Sequence, residues 1–261
     1  MTRTFAEING HSVFYVRSGE GNRKTLLVPP LGGNTNSYGG QFDKFAGAGE
    51  MVKYDWGGQG ISEKYAYDYD MALLADELIG VLDFLGWDQT DAVGVAAGSA
   101  VIVTAALNHP DRFRRLALMS PSAFISEEVG KGMRERANIV AAEGMRPSLA
   151  GSISRGFAPE FSTNENLTTI YKGEYLANDP VAYARASTAF SHYDERERIG
   201  ALKQEVLLLP GEFDPYFPVS VAEAILPELE NAKLEVLEGC GHFGQLEKPA
   251  EIVEIIEKFF A

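Results

Sequence analysis

Hydrophobic positions along this 261-residue chain switch between two periods. At the start they alternate with polar ones, in Thr4-Phe5-Ala6-Glu7-Ile8 and again in Ser12-Val13-Phe14-Tyr15-Val16-Arg17. The pair Asn9-Gly10 lies between the two runs, which predicts a β-hairpin. Beyond it the apolar runs become short and continuous: Thr25–Val28, stopped by Pro29-Pro30; Met51–Tyr54, running into Asp55; Asp91–Val95; Leu116–Met119; Val206–Leu209; and Leu234–Leu237. Runs of that kind predict strands buried on both faces. Asp68 to Leu85 places Leu74, Leu78, Val81, Leu82 and Leu85 on one helical face, and Ile252, Val253, Ile255, Ile256, Phe259 and Phe260 give the last helix its apolar face. Ala97 to Leu107 is apolar all round and predicts a buried helix. A leading hairpin followed by strands alternating with helices is an α/β pattern: a mainly parallel, twisted sheet flanked by helices.

The alternation breaks once. Between Ser120 and Leu202 there is no strand pattern, only helical stretches near Val129–Glu143, Asn166–Leu176 and Pro180–Phe190. This predicts a helical cap over residues 121–202, inserted after the strand near 115–120, on a core made of 1–120 and 203–261.

Charge narrows the partners. The net charge is -14 with a pI of about 4.8, which argues against nucleic acid and against an anionic membrane. No apolar run is long enough to span a bilayer, and the first residues lead into polar sequence rather than an apolar signal region. A single cysteine, Cys240, allows no intrachain disulfide and fits a reducing, cytoplasmic setting. The four histidines, at 11, 109, 192 and 242, form no ligand-spaced pair, so neither a metal nor a cofactor is expected.

The candidate chemistry begins at Gly94-Val95-Ala96-Ala97-Gly98. A strand enters, a sharp turn flanked by glycines follows, and a helix leaves. This is a G-x-S-x-G nucleophile elbow with alanine in the serine position; taken alone it is equally a turn of small residues. Three further segments fall in order around it. Val28-Pro29-Pro30-Leu31-Gly32-Gly33 follows one buried strand. Asp55-Trp56-Gly57-Gly58-Gln59-Gly60-Ile61-Ser62 follows the next. Late in the chain, two strand ends present Asp214, with Glu212 as a nearby rival acid, and then His242 in Gly239-Cys240-Gly241-His242-Phe243.

With these motifs the chain resembles the α/β-hydrolase superfamily over nearly its whole length. The resemblance implies a serine-hydrolase site with the nucleophile position at Ala96, Asp214 as acid and His242 as base, in the family's chain order. It also implies an oxyanion hole from the backbone N–H groups of Leu31 and Ala97. The Asp55–Ser62 turn matches a family fold marker without catalytic role. Ser99, one turn into the helix, is a poor replacement nucleophile. The cap segments Glu143-Gly144-Met145 and Phe157-Ala158-Pro159-Glu160-Phe161 are similar to those of the 3-oxoadipate enol-lactonase group. That implies a small to medium, largely apolar ester or lactone as partner, although no arginine pair clearly suited to a dicarboxylate is identifiable. Trp56, Phe124, Phe157, Phe161, Phe190, Phe217 and Phe243 are the candidate pocket residues.

Three readings of Ala96 stand. The first is a serine hydrolase disarmed at its nucleophile that still binds substrate. The second is a natural ligand-binding protein on the hydrolase scaffold. The third is a cofactor-free enzyme using the His242–Asp214 pair as general base with no covalent step, or a carbon–carbon bond hydrolase. Retention of acid, base and both elbow glycines favours the first.

Overall fold

The computed structural model describes residues 1–261. The chain opens with β1 (Thr2–Ile8) and β2 (His11–Gly19), antiparallel, with Ile8 opposite His11. Asn9 and Gly10 between them have φ of 52° and 84°. A two-residue loop with both residues left-handed matches the twist of the strands it joins. Next come β3 (Lys24–Val28), β4 (Glu50–Tyr54), α1 (Met71–Leu85), β5 (Thr90–Val95), α2 (Ala97–Asn108) and β6 (Phe113–Met119). Four helices follow without an intervening strand: α3 (Glu127–Glu143), α4 (Arg146–Gly156), α5 (Glu165–Leu176) and α6 (Pro180–Ser191). The chain ends with β7 (Glu205–Leu209), α7 (Val219–Ile225), β8 (Ala232–Leu234), α8 (Gly244–Glu247) and α9 (Pro249–Phe260).

The eight strands form one sheet in the order β1-β2-β4-β3-β5-β6-β7-β8. β2 runs antiparallel to both neighbours, and every pair from β4 to β8 is parallel. This is the α/β architecture that the strand–helix alternation predicts. β5 lies mid-sheet with all six residues buried. α2 is buried on every face from Ala97 to Ala106, which is why its sequence shows apolar residues without a polar stripe.

Element ends differ from the sequence expectation where a cap or an edge decides them. α1 starts at Met71 rather than Asp68, because the Asp70 carboxylate accepts the Leu73 amide at 3.0 Å as N-cap. β8 starts and stops earlier than Leu234–Leu237. It is a half-exposed edge strand whose pairing continues irregularly, through Glu235 N–H to the Leu208 carbonyl and Leu237 N–H to the Pro210 carbonyl. Helix α4 was not predicted at all. Its Arg-Pro-Ser-Leu-Ala-Gly-Ser-Ile-Ser-Arg-Gly sequence has weak helix propensity, and packing holds it instead. The Ser148 and Ser152 hydroxyls bond those of Tyr175 and Tyr171. At Gly156, any Cβ would lie 2.2 Å from the Phe243 ring.

Candidate active site

The β5–α2 turn is strained at one residue. Ala96 has φ 49° and ψ -109° and is buried. A non-glycine residue held there costs ~1–3 kcal/mol. The flanks leave it no room to relax. A Cβ on Gly98 would sit 2.3 Å from the Val28 carbonyl oxygen and 2.6 Å from that of Pro29, and one on Gly94 would sit 2.7 Å from the Ser99 nitrogen. The glycines let the end of β3 press against the start of α2. The Ala96 N–H donates to the Met119 carbonyl at 2.9 Å, and the Ser99 hydroxyl donates to the same carbonyl at 3.0 Å, which turns Ser99 away from the elbow tip.

The loop after β3 is pinned from three sides. The Trp56 indole N–H donates to the Pro29 carbonyl at 3.0 Å, the Gly33 N–H to the Pro30 carbonyl at 2.9 Å, and the Gly32 N–H to the Gln59 side chain at 2.7 Å. Gly32 has φ 75°, and a Cβ there would meet Tyr183 at 2.8 Å. The Leu31 N–H takes no backbone acceptor among the loop hydrogen bonds. Ala97 opens α2, where an amide has no intrahelical acceptor. Both candidate oxyanion donors are thus free of competing helix or turn bonds.

His242 Nδ1 lies 2.8 Å from Asp214 Oδ2. The other Asp214 oxygen accepts the amides of Tyr216 at 2.9 Å and Phe217 at 3.1 Å. Burial alone would raise the Asp214 pKa. The charge and hydrogen bond of His242, with the Phe217 amide and the Ser120 hydroxyl, outweigh it and hold the carboxyl below its ordinary range. Asp214 is therefore an ionised acceptor across neutral pH, which favours a proton on Nδ1 and, in the neutral ring, leaves the lone pair on Nε2.

The histidine loop is tied to its neighbours. The His242 N–H donates to the Gly156 carbonyl at 2.7 Å, and the Ser120 hydroxyl reaches the His242 carbonyl at 3.4 Å. Ser120 follows Met119, the residue that receives the Ala96 amide, so the end of β6 joins the elbow to the histidine loop. Glu247 accepts from the amides of Gly241 at 2.8 Å, Ala158 at 3.3 Å and Phe243 at 3.3 Å. Ser120, Glu247 and Tyr216 are not among the candidate site residues of the sequence. Glu247 gives no motif signal, because its partners are backbone amides brought together only by the fold.

The aromatic candidates separate into two groups. Tyr216, Phe217 and Phe243 surround the His242 ring at centroid distances of 4.9, 5.8 and 5.4 Å. Phe157 and Phe190 extend that cluster, at 4.9 Å from Phe243 and 6.3 Å from Phe217, and Phe161 packs against the group of Phe157, Phe243 and Leu246. Trp56 and Phe124 stand apart from it. Trp56 is wholly buried and supports the Pro29 loop, and Phe124 lies under the Arg196 guanidinium at 4.2 Å. Glu212 is exposed and accepts the Gly239 amide at 2.7 Å, so it does not face His242 as a rival acid. Cys240 is a buried free thiol whose pKa burial pushes up. His109 and His192 are exposed, and His11 bonds Tyr67. No helix is long and apolar enough to cross a membrane.

Comparison with known proteins gives a consistent set. The profile of the alpha/beta hydrolase fold matches residues 26–249. The chain is 30% identical over 224 residues to 2-hydroxymuconate semialdehyde hydrolase of Pseudomonas putida, covering 81% of this chain and 76% of that one. It is 24% identical over 245 residues to 3-oxoadipate enol-lactonase 2 of Acinetobacter baylyi, covering 93% and 91%. The enol-lactonase of Burkholderia xenovorans superposes with a TM-score of 0.92 at 23% identity, covering 98% of this chain and 99% of that one.

Proposed function

The chain belongs to the alpha/beta hydrolase fold family, and from that premise we propose that it carries a serine-hydrolase site for a small to medium ester or lactone, disarmed at Ala96 so that substrate binds without turnover. In this reading residues 121–202 form a cap over the site. The amides of Leu31 and Ala97 receive the substrate carbonyl oxygen, and His242, oriented by Asp214, waits as base. With serine at 96, its hydroxyl would pass a proton to Nε2 as its oxygen attacked the carbonyl carbon. His242 would then return the proton to the leaving alkoxide. With alanine no bond to the carbonyl can form.

The observation that carries this reading is the strain at Ala96. Its positive φ serves to present a side chain at the tip of a sharp turn, yet a methyl group has nothing to present. The Asp214–His242 hydrogen bond at 2.8 Å supports it as the remaining half of an acid–base pair. A second reading shares the same apparatus. The relative at 30% identity is named as a semialdehyde hydrolase, which favours carbon–carbon bond hydrolysis as an alternative to ester cleavage.

Ala96→Ser is expected to create hydrolysis in a panel of activated esters, lactones and vinylogous diketones. Adding His242→Ala should remove nearly all of it, because triad members act as a unit. A folded Ala96→Ser protein that is inert across the panel would sink the proposal.

A further inference from the structure

The loop that carries the Leu31 amide is a tight turn, Pro30 to Gly33. It is closed by the Gly33 N–H on the Pro30 carbonyl at 2.9 Å. Gly32 has φ 75°, while Leu31 is not among the residues with positive φ, which makes the turn type II. In a trans peptide the N–H points opposite to the C=O. The Pro30 carbonyl faces into the turn, so the Leu31 N–H of the same peptide faces out of it. The Gly33 N–H in turn shares its peptide with the Gly32 carbonyl. That carbonyl accepts the Asn178 side-chain amide at 2.8 Å. Two peptides in series therefore link Asn178 to the Leu31 donor.

Asn178 lies just beyond α5 and is half-buried. Its Nδ2 also stands 3.0 Å from the Glu174 carbonyl and 3.2 Å from that of Tyr175, two of the last carbonyls of α5, which no further turn of helix satisfies. Three carbonyl oxygens around one terminal atom fix it as the nitrogen. The shortest of the three bonds leaves the helix for Gly32. The same helical segment grips the turn elsewhere, for the Leu31 side chain packs against Val140, Met145, Tyr175 and Tyr183. On the opposite side Gln59 holds the Gly32 N–H at 2.7 Å. We propose that Asn178 is a positioning residue for the oxyanion hole, aiming and polarising the Leu31 N–H through the Gly32 and Pro30 carbonyls. A peptide whose carbonyl accepts a hydrogen bond becomes a better donor at its N–H, so bonds in series strengthen one another. The proposal rests on the hydrolase reading for the carbonyl that meets Leu31, and on Asn178 and the turn for the donor itself.

The test reads the donor in two ways. In the Ala96→Ser protein, kcat and KM are measured for 4-nitrophenyl butanoate. Asn178→Ala should lower kcat and kcat/KM together by about ten- to a hundred-fold, a large part of what loss of a whole oxyanion donor costs. Glu174→Ala breaks another side-chain bond between this segment and the loop, the one from the Ser37 hydroxyl at 2.7 Å, and should leave kcat nearly unchanged. A role limited to tying α5 to the core would lower kcat in both variants alike. In the chain as it stands, infrared difference spectra follow bound ethyl butanoate, isotope-labelled at the carbonyl carbon. Its C=O stretch should lie below the value in buffer, and should rise to that value or above it in Asn178→Ala. If Asn178→Ala fails to fold, Asn178→Asp keeps the shape, sets an acceptor where the donor was, and is expected to give the same two changes. An unchanged kcat in a folded Asn178 variant of an active Ala96→Ser protein, or a bound carbonyl stretch that ignores the substitution, overturns the positioning role. An inert Ala96→Ser protein whose bound carbonyl still answers to Asn178 would refute the hydrolase reading and leave the positioning role standing.

Discussion

Glu77 should make the protein less stable as pH rises, and Glu77→Gln should remove that dependence. The residue lies on α1, fully buried. It takes the Gly57 amide on both carboxyl oxygens, at 2.8 and 3.1 Å, and the Tyr65 hydroxyl on one of them. Burial pushes its pKa from 4.5 up to about 7, against the pull of those hydrogen bonds. In the unfolded chain the carboxyl is hydrated and titrates near its ordinary value. Between the two pKa values the folded chain holds a proton that the unfolded chain has released. Its contribution to stability is therefore complete below the unfolded pKa and is lost as pH rises through the folded one. The loss runs at about 1.4 kcal/mol per pH unit. Across the interval from 4.5 to about 7 it reaches roughly 3 kcal/mol. Glutamine keeps the shape, can still accept the Gly57 amide, and cannot ionise. Urea unfolding of both proteins at about pH 5 and about pH 8 measures the difference, with every other titrating group cancelling. The two should agree within about 1 kcal/mol at the lower pH, and the glutamine variant should lead by about 2–3 kcal/mol at the higher. A difference of the same size at both pH values would refute the reasoning. Glu77 also matters to the site, because Gly57 follows Trp56, whose indole holds the Pro29 carbonyl.

Two substitutions at the elbow test its geometry. Ala96→Gly should leave urea stability level or raise it by up to about 1 kcal/mol, since relief of the positive φ offsets glycine's backbone entropy; a loss above about 1 kcal/mol would mean that Ala96 is unstrained. Gly98→Ala should lose about 1–3 kcal/mol in the same assay, because its Cβ would meet backbone oxygens rather than yielding side chains.

The sheet was legible because it is buried on both sides. Strands such as β5 and β7 read as continuous apolar runs, and the Asn9-Gly10 turn announces its hairpin. What could not be read was structure made by contact. α4 contains Gly151, Gly156 and three serines, and nothing local favours a helix there. It forms because Tyr171, Tyr175 and Phe243, distant in sequence, complete its surface. Glu247 was hidden for a similar reason, since a carboxylate serving three backbone amides looks from the sequence like any charge at the end of a short helix.

The site divides along the same line. Ala96, Asp214 and His242 lie at strand ends, where short motifs fix the backbone, so their order could be read directly. Ser120, Glu247 and Tyr216 answer to no such motif, because the fold alone brings the end of β6, the loop after β7 and the end of α8 to the histidine loop. Ala96 is a position at which the chain bears a cost in backbone strain that does nothing for folding. A scaffold that had lost all use for its elbow could relieve that strain by a single substitution to glycine. Its retention, beside an Asp214–His242 pair still joined at 2.8 Å, supports a site that still receives a carbonyl ligand, with the missing serine oxygen as the difference between binding and turnover.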